Sequence, residues 1–232
     1  MKRRELLSGL SGLAAAALAS GCTSQAATSR TQTTPARFGS PVPLPAPDTT
    51  GTIGLERAIR ERRSMRAFRP DPLPVATIGQ LLWAGQGITS SGGKRAAPSA
   101  GALYPLELYV VTPSQVMHYL PDGHRAESRT AADLRTGLKA AAVGQSTVTA
   151  APAVLVVAAV PSRMSHRYGA AQGMEFVQIE VGHAAQNILL QAAALGLAAV
   201  PVGSVDPAQA AAALALPADE TVLYLIPVGR VP

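Results

Sequence analysis

The spacing of apolar positions divides the chain beyond residue 52 into helical and extended segments. Helical periodicity predicts helices at residues 54–62, 75–84, 133–143, 176–195 and 207–214. Strand-like patterns occur at residues 106–112, 116–120, 153–160, 197–202 and 222–228. Because helices are mixed with hairpin strands, the pattern indicates an α+β fold in which helices flank a layered sheet.

Two of these segments are strongly apolar and should form the core. Residues 153–160 are an unbroken apolar run, as expected for a strand that is covered on both faces. The longest predicted helix, residues 176–195, has an apolar face made of Val177, Val181, Ala184, Ile188 and Leu195. Between the second helix and the first strand, residues 85–101 contain five Gly and one Pro, which predicts an irregular loop.

The first 22 residues have the features of an export signal. Arg3 and Arg4 precede an apolar stretch, residues 10–19, that is shorter than the roughly 20 residues needed to cross a bilayer. The arginine pair resembles a twin-arginine signal, and Cys22, preceded by small residues, resembles the lipidated cysteine of a bacterial lipobox. We therefore expect residues 1–22 to direct export and lipid anchoring. An ordinary secretory signal that leaves Cys22 free is the alternative.

The next segment, residues 23–52, is dominated by Thr, Ser, Ala and Pro and has neither helical nor strand periodicity. Such a composition buries too little apolar surface to offset the loss of chain entropy on folding. The sequence therefore predicts a disordered tether. Folded structure should begin near Ile53 and form one domain over residues 53–232.

Composition excludes several classes of function. The chain of 232 residues has one Cys, which excludes multi-Cys zinc and iron–sulfur sites, and no metal site is predicted. Aromatic residues make up only 4%, which argues against a nucleic-acid-binding module. The net charge of +6 is a mild basic balance that a few phosphate contacts could account for. Membrane association is expected only through the N-terminal lipid anchor.

Arginine side chains cluster after the first predicted helix. Arg62, Arg63 and Arg66 place three guanidinium groups within five residues, and Ser64 adds a hydroxyl. A planar guanidinium group matches the geometry of phosphate oxygens, so the cluster is a candidate phosphate site. A basic surface that contacts only water is the alternative interpretation.

A second candidate cluster lies at the end of the predicted loop. Pro98, Ser99, Ala100 and Gly101 would let the backbone approach a flat ligand closely, and Tyr104 adds a phenol. A simple surface loop is the alternative.

Further candidate positions follow the predicted strands and lie on the long helix. Gly203 and Ser204 follow the strand at 197–202, where a backbone N–H can point at a ligand. Arg230 follows the last strand. On the long helix, His183 is expected to be an interface residue rather than a base.

In this order and spacing, these clusters resemble the nitroreductase family of FMN-dependent oxidoreductases over nearly all of residues 53–232. The segments 82–89 and 98–107 are similar to the SagB/ThcOx-type dehydrogenase branch. The resemblance implies a three-layer fold with a central mixed or antiparallel sheet, in a domain-swapped homodimer with FMN at the subunit interface. It also implies a small-molecule substrate, NAD(P)H as a candidate electron donor and ping-pong hydride transfer through the flavin N5.

The resemblance further assigns roles to the clusters. The FMN phosphate and ribityl chain would be held by Arg62, Arg63, Ser64, Arg66 and, on the phosphate, Arg230. The partner subunit would line the isoalloxazine with Pro98, Ser99, Ala100 and Gly101. A backbone N–H at Gly203 and Ser204 would lie near the flavin N5. The candidate catalytic side chains, for proton transfer or substrate stacking, are Tyr104 and Tyr168.

Two positions depart from the family pattern. Gly203 stands where many nitroreductases carry an acidic residue, so the N5 contact would come from backbone only. Azoline dehydrogenases use a Lys-Tyr pair for proton abstraction, and this sequence has Arg167-Tyr168 at what looks like that place. Because arginine stays protonated in proteins, Arg167 cannot act as a general base, which argues against azoline oxidation by that mechanism.

The leading interpretation is an exported, lipid-anchored, homodimeric FMN oxidoreductase on the periplasmic side or the cell surface. The alternatives are an azoline-type dehydrogenase or oxidase of the SagB/ThcOx branch, and a flavin-binding lipoprotein without turnover. A third is a structural lipoprotein with no cofactor.

Overall fold

The computed structural model describes residues 36–232. The predicted signal, residues 1–22, and the first part of the predicted tether lie outside the described residues. Within the described range the strands are β1 Val42–Pro43, β2 Leu106–Val111, β3 Gln115–Leu120, β4 Arg125–Thr130, β5 Ala153–Ala159, β6 Leu197–Ala199 and β7 Thr221–Arg230. The helices are α1 Leu55–Glu61, α2 Val75–Gln86, α3 Arg135–Ala141, α4 Thr147–Ala150, α5 Ser162–Tyr168, α6 Ala170–Ala194 and α7 Pro207–Leu214.

The strands form one sheet in the order β1-β4-β3-β2-β5-β7-β6. Every pairing between these strands is antiparallel, so the sheet is antiparallel rather than mixed. Strand β5 lies between β2 and β7, and all seven of its residues are buried. The prediction of a strand covered on both faces is therefore confirmed.

Alternating residues of β5 point into two separate hydrophobic clusters, because successive side chains of a strand face opposite sides of the sheet. Leu155 and Val157 pack in the cluster that contains residues of α2 and α6. Val154 and Val156 pack in the cluster that contains residues of α3, α4 and α7. The fold is thus three layers, helices on both faces of a sheet, as expected.

The first helix, α1, does not bury the face that its sequence spacing suggests. Leu55 and Ile59 are 61% and 55% exposed, whereas Ala58 is buried. The larger apolar side chains of α1 therefore point away from the rest of the described chain. Exposed apolar faces of this kind are typical of surfaces that contact another molecule.

The described part of the predicted tether, residues 36–52, packs against the domain, so folded structure begins before Ile53. Strand β1 pairs with β4 at the edge of the sheet. Leu44 is buried, and its N–H donates to the carbonyl of His124 at 3.0 Å. The N–H of Asp48 donates to Oε1 of Gln80 in α2 at 2.8 Å. The prediction of a disordered tether as far as residue 52 does not hold for this part. Single contacts hold it to the domain, and such contacts leave no periodic pattern in the sequence.

Three elements carried no periodic signal and were not predicted. Strand β4 is polar along most of its length, and α5 buries a single residue, Met164. The four-residue helix α4 is too short to show a period. The long helix α6 begins at Ala170, six residues before its predicted start, because its first turns are mostly exposed. None of the helices between residues 36 and 232 combines the length and apolarity that a bilayer crossing requires.

Candidate functional site

A chain of three neighbouring cavities runs along α6, and we call it the groove. The first cavity, about 500 Å³, is bordered by Gln186 and Leu189 of α6 and by Gly203 and Tyr224. Leu189 also borders the second cavity, about 290 Å³. The second and third cavities share Gly196 and Leu197, which follow α6, and Val231, which follows β7, and the third is about 430 Å³. The groove is therefore elongated rather than round.

Arginines from opposite ends of the chain border one end of the groove. Arg62 and Arg63 line the second cavity, and Arg230 lines the third. Arg62 is half-buried, whereas Arg63 and Arg230 are exposed. The Nη1 of Arg63 donates to the carbonyls of Arg60 and Arg62, both at 2.7 Å. This end is positively charged and open to solvent.

Backbone pairing explains why these arginines meet. The N–H of Met65 donates to the carbonyl of Ala199 at 2.9 Å, and the N–H of Arg69 donates to the carbonyl of Arg230 at 3.0 Å. Residues 64–69 therefore run beside the ends of β6 and β7. A Cβ at Gly229 would lie 2.7 Å from Pro152 Cδ and 3.0 Å from Phe68 Cβ, so only glycine fits this close approach.

The remaining residues of the arginine cluster lie in the same extended segment. Ser64 forms an isolated parallel bridge with Ala199 of β6, and its side chain is exposed. Arg66 is also exposed. Arg69, which the sequence argument did not single out, lines the third cavity and pairs with Asp71 at 2.8 Å.

The other end of the groove is apolar and bordered by backbone. A Cβ at Gly203 would lie 3.0 Å from Cε2 of Tyr224, so a side chain here would press on the tyrosine ring. Gly203 and Ser204 are exposed, and neither N–H donates a backbone hydrogen bond to the described residues. Two adjacent N–H groups at the edge of a cavity can bind an electron-rich atom of a ligand.

The second cluster, Pro98 to Gly101 with Tyr104, borders a separate cavity of about 570 Å³ that we call the loop cavity. Its backbone is strained. Gly101 has φ +62°, and two non-glycine residues, Ala102 and Tyr104, have φ +55° and +46°. Left-handed conformations cost non-glycine residues free energy and are concentrated at functional sites.

Within one chain, the loop cavity and the groove lie on opposite sides of α6. Leu189 borders the groove, whereas Nδ2 of Asn187 donates to the carbonyl of Ala96 in the loop at 3.2 Å. Asn187 and Leu189 are two positions apart in α6, so their side chains point about 200° apart around the helix axis. One chain therefore does not bring Pro98 to Gly101 together with Arg62 or Gly203. His183 is exposed on α6.

The two candidate tyrosines both lie close to the loop that contains Gly101. Tyr104 accepts a hydrogen bond at its Oη from the N–H of Arg95, at 3.2 Å, and its own N–H donates to Oγ of Ser99 at 2.9 Å. A Cβ on Gly101 would lie 2.8 Å from Oη of Tyr168 and 3.0 Å from Nη1 of Arg167. The neighbours Arg167 and Tyr168 therefore face the strained loop.

Sequence reasoning missed a buried carboxyl group behind the loop cavity. Glu180 of α6 is 1% exposed, and neither of its carboxyl oxygens has a hydrogen-bond partner. Burial raises its pKa to about 7, although the nearby Ser99, Gln86 and Arg95 oppose the rise. The sequence contains a sign of this burial, because Glu180 lies three residues after Val177 and therefore on the predicted apolar face of the helix.

Arg95 was missed as well, and it lies at the wall of the loop cavity. Its Nη1 donates to Oε1 of Gln86 at 2.9 Å, and its guanidinium carbon lies 4.6 Å from the centre of the Tyr104 ring. Burial lowers the pKa of Arg95 from its ordinary value, and the nearby Glu107 and Glu180 oppose that shift. The residue remains a cation, because arginine does not lose its proton in proteins.

A cluster of half-buried charged side chains joins strands β2, β3 and β4. His118 contacts Glu107 through Nε2 and Glu127 through Nδ1, both at 2.9 Å. Arg163 pairs with the other oxygen of Glu107 at 2.5 Å and donates to the carbonyl of Tyr104 at 3.1 Å. Across residues 36–232, no group of three or more His, Cys, Asp or Glu side chains is arranged to hold a metal ion.

Comparison with known families gives a match over most of the domain. The sequence model of the Nitroreductase family matches residues 59–230 of this chain. A Methanocaldococcus jannaschii protein classed as a nitroreductase is 36% identical over 184 residues, covering 77% of this chain and 91% of that protein.

Solved structures agree with this match. A crystal structure of a protein from Ralstonia eutropha JMP134, also classed as a nitroreductase, superimposes with a TM-score of 0.75 at 33% identity, covering 86% of this chain and 94% of that one. The NADPH:FMN oxidoreductase from Vibrio harveyi, complexed with NAD+, superimposes with a TM-score of 0.57 at 23% identity, covering 76% and 68%. The latter likeness concerns the fold alone.

Proposed function

Because the chain belongs to the nitroreductase family and is therefore an oxidoreductase, we propose that it is an FMN-dependent enzyme that works as a homodimer. The observation that carries the proposal is the groove, which has guanidinium groups at one end and exposed backbone N–H groups with an aromatic ring at the other. Such a groove suits an elongated ligand with an anionic tail and a flat head.

The basic end of the groove fits a phosphate. Arg62, Arg63 and Arg230 come from two distant segments and border adjoining cavities. Charge-assisted hydrogen bonds from guanidinium groups are among the stronger hydrogen bonds in proteins, and their pairing with phosphate is often bidentate. Arg63 can leave its present acceptors, since both are backbone carbonyls at the end of α1. Ser64 and Arg66 would complete the contacts to the tail.

The apolar end fits a flat ring. Because Gly203 has no side chain, the space beside the Tyr224 ring stays open. The N–H groups of Gly203 and Ser204 donate no backbone hydrogen bond among the described residues, so they can donate to a ligand. FMN supplies the hydride-transfer chemistry when bound, and the protein supplies anchoring, orientation and exclusion of water. NAD(P)H is the candidate electron donor, as in the structural neighbour from Vibrio harveyi, an NADPH:FMN oxidoreductase solved with NAD+.

A homodimer would complete the site. Pro98 to Gly101 lie on the far side of α6 from the groove, so a second copy must supply them if they are to line the same ligand. Leu55 and Ile59 of α1 and Ile179 of α6 are exposed apolar side chains that such an interface would cover. With a partner present, Tyr104 and Tyr168 would line the ring pocket and hold substrate or a proton at their phenol oxygens.

Two other functions would make different demands on this site. Tyr168 faces Gly101, but its neighbour Arg167 cannot take up a proton, so azoline dehydrogenation by a Lys-Tyr mechanism is disfavoured. A flavin-binding protein without turnover would bind FMN yet transfer no electrons. Reduction of the bound flavin by NAD(P)H and its reoxidation by a nitroaromatic compound separates that protein from an enzyme.

Flavin content of arginine variants tests the proposal directly. Arg62→Ala and Arg230→Ala should each weaken FMN binding about tenfold or more, because each removes a charge-assisted contact. The measurement is the visible absorbance of bound flavin during titration with FMN. Arg125→Ala, an arginine in the β3–β4 hairpin, is the matched control. Full flavin occupancy in both test variants would refute the phosphate assignment.

We also propose that the protein is exported and anchored by a lipid on Cys22. The support is the paired Arg3 and Arg4, the short apolar stretch and the small residues before Cys22, all outside the described residues. Expression in the presence of a labelled fatty acid should label the protein, and Cys22→Ser should abolish the label. An unlabelled wild-type protein in the cytoplasmic fraction would contradict both parts.

A further inference from the structure

The loop cavity contains a cation that no carboxylate neutralises directly. Two carboxyl groups are near enough to affect the pKa of Arg95, Glu107 and Glu180. Glu107 is already paired with His118 and with Arg163. The oxygens of Glu180 have no hydrogen-bond partner, so they do not bind Arg95 either. The guanidinium of Arg95 therefore retains donors that can bind an anion in the cavity.

The position of Arg95 is fixed before any ligand binds. Its Nη1 is held by Gln86 of α2, and its plane lies over the Tyr104 ring. The Tyr104 ring is held at its Oη, which accepts from the N–H of Arg95 at 3.2 Å, and the Tyr104 backbone is held by Ser99 and Arg163. A preorganised donor loses little conformational entropy on binding, which favours recognition of a small anionic group.

A second cation and an aromatic surface complete the cavity. Lys94 is exposed at its rim, next to Arg95. The wall includes Tyr104, whose ring gives the cavity an aromatic surface beside Arg95. Two cations beside a phenol suit an aromatic carboxylate better than a neutral molecule, since the planar guanidinium binds a carboxylate in a bidentate manner.

We propose that the loop cavity binds the carboxylate group of an aromatic substrate, with Arg95 as the anion-binding residue. The proposal deepens the proposed function and rests on it, because the flavin ring would lie against Ser99 and Gly101 and the substrate's ring would lie next to it, on the side of Arg95 and Tyr104. The substrate class is an aromatic compound that carries a carboxylate.

The charge of the cavity also depends on Glu180. Gln86 from α2 and Ser99 and Arg95 from the loop face this carboxyl group, while Glu107 and Arg163 act on Arg95 from β2 and α5. When Glu180 is protonated, the positive charge of Arg95 is not offset by it. When Glu180 ionises, its negative charge weakens the attraction of the cavity for anions. Carboxylate binding should therefore weaken as the pH rises through neutrality.

Calorimetric titration of the purified holoenzyme with benzoate and its neutral analogue benzamide tests the proposal. Benzoate should bind at least about tenfold more tightly than benzamide. Arg95→Met should bring the two affinities close together, whereas the control Arg125→Met should keep the preference. Equal affinities of the wild-type protein for benzoate and benzamide would overturn the proposal without any variant. A benzoate preference that survives Arg95→Met would also overturn it.

The contribution of Glu180 is tested in the same titration. Benzoate affinity should fall several-fold between about pH 6 and about pH 8 in the wild-type protein and change little in Glu180→Gln. An unchanged pH dependence in the variant would remove Glu180 from the proposal. Calorimetry reports binding without turnover, so a protein that lacks flavin but binds benzoate would refute the proposed function and leave the anion site standing.

Discussion

Two groups of buried carboxyl side chains lie on this scaffold, and they differ in how they are satisfied. Glu107 and Glu127 share His118, and Glu107 also binds Arg163, so their charges are paired. Glu180 is more deeply buried and has no hydrogen-bond partner. Burial raises the pKa of Glu107, but the contacts with His118 and Arg163 outweigh it and leave the pKa lowered, whereas that of Glu180 is raised to about 7.

From this difference we expect the His118 cluster to be structural and Glu180 to belong to the site. A paired network such as that of His118 fixes the relation of three strands, and removing one member leaves a charge unpaired. An unpaired buried carboxyl group destabilises the fold, so its presence beside a cavity and a strained loop indicates a role in the site. Unsatisfied groups, rather than charge density, point to the chemistry.

The largest effect should follow from breaking the paired cluster. His118→Ala leaves Glu107 and Glu127 facing each other without their shared cation, which should cost about 2–4 kcal/mol of unfolding free energy. The measurement is denaturant unfolding at about neutral pH. The control His166→Ala changes an exposed histidine of α5 and should alter stability by less than about 0.5 kcal/mol.

The pH dependence of this loss follows from the raised pKa of His118. Burial lowers that pKa, but its hydrogen bonds with Glu107 and Glu127 outweigh the effect of burial. A raised folded-state pKa gives stability that is complete below about pH 6.5 and is lost as the pH rises through the folded value. The difference between wild type and His118→Ala should therefore shrink in alkaline buffer. A constant difference would argue that packing, not charge, holds the cluster.

A smaller effect of opposite sign should come from Glu180→Gln. Because the folded-state pKa is raised from 4.5 to about 7, ionisation of Glu180 costs stability as the pH rises through that range. At 1.36 kcal/mol per pKa unit, the amide variant should be more stable than wild type by at most about 3 kcal/mol in mildly alkaline buffer. Equal stability of the two proteins at every pH would show that Glu180 is solvated.

The matched substitution Glu107→Gln should change the unfolding free energy least, and it should destabilise the protein where Glu180→Gln stabilises it. A lowered folded-state pKa gives stability above the unfolded value that is lost as the pH falls. The variant should be less stable than wild type near neutral pH, by about 1–2 kcal/mol, and the two should converge in acid. Parallel pH profiles for Glu107→Gln and Glu180→Gln would remove the contrast between the clusters.

Periodicity in the sequence was enough to predict an α+β fold, whereas the three layers were implied by the family resemblance. The helix α7 carries a complete local signal, with Pro207 in its first turn and Asp206 accepting from the N–H of Gln209 at 2.9 Å. The apolar run of β5 likewise has only one stable position, the centre of the sheet. Strand β4 has no such signal, because its pairing with β3 is decided by the hairpin turn that precedes it.

The site was less predictable from the sequence, and the reason is geometric. Arg62 and Arg230 are conspicuous as residue types, and the backbone brings their segments together. Arg95 and Glu180 are not conspicuous, because their properties come from contacts between a loop and a helix distant in sequence. A pKa shift caused by tertiary burial leaves no local sequence pattern. A carboxyl group on the apolar face of a predicted helix nevertheless indicates that its pKa can be raised by burial.

Strand β7 is far from β5 in the sequence, yet it pairs with the whole length of that interior strand. During synthesis, one edge of β5 therefore stays unpaired until residues 221–230 have left the ribosome. An open edge of seven apolar residues is a template for pairing with other nascent chains. We expect the growing polypeptide to depend on chaperones until residues 221–230 emerge, when Arg230 also reaches its place.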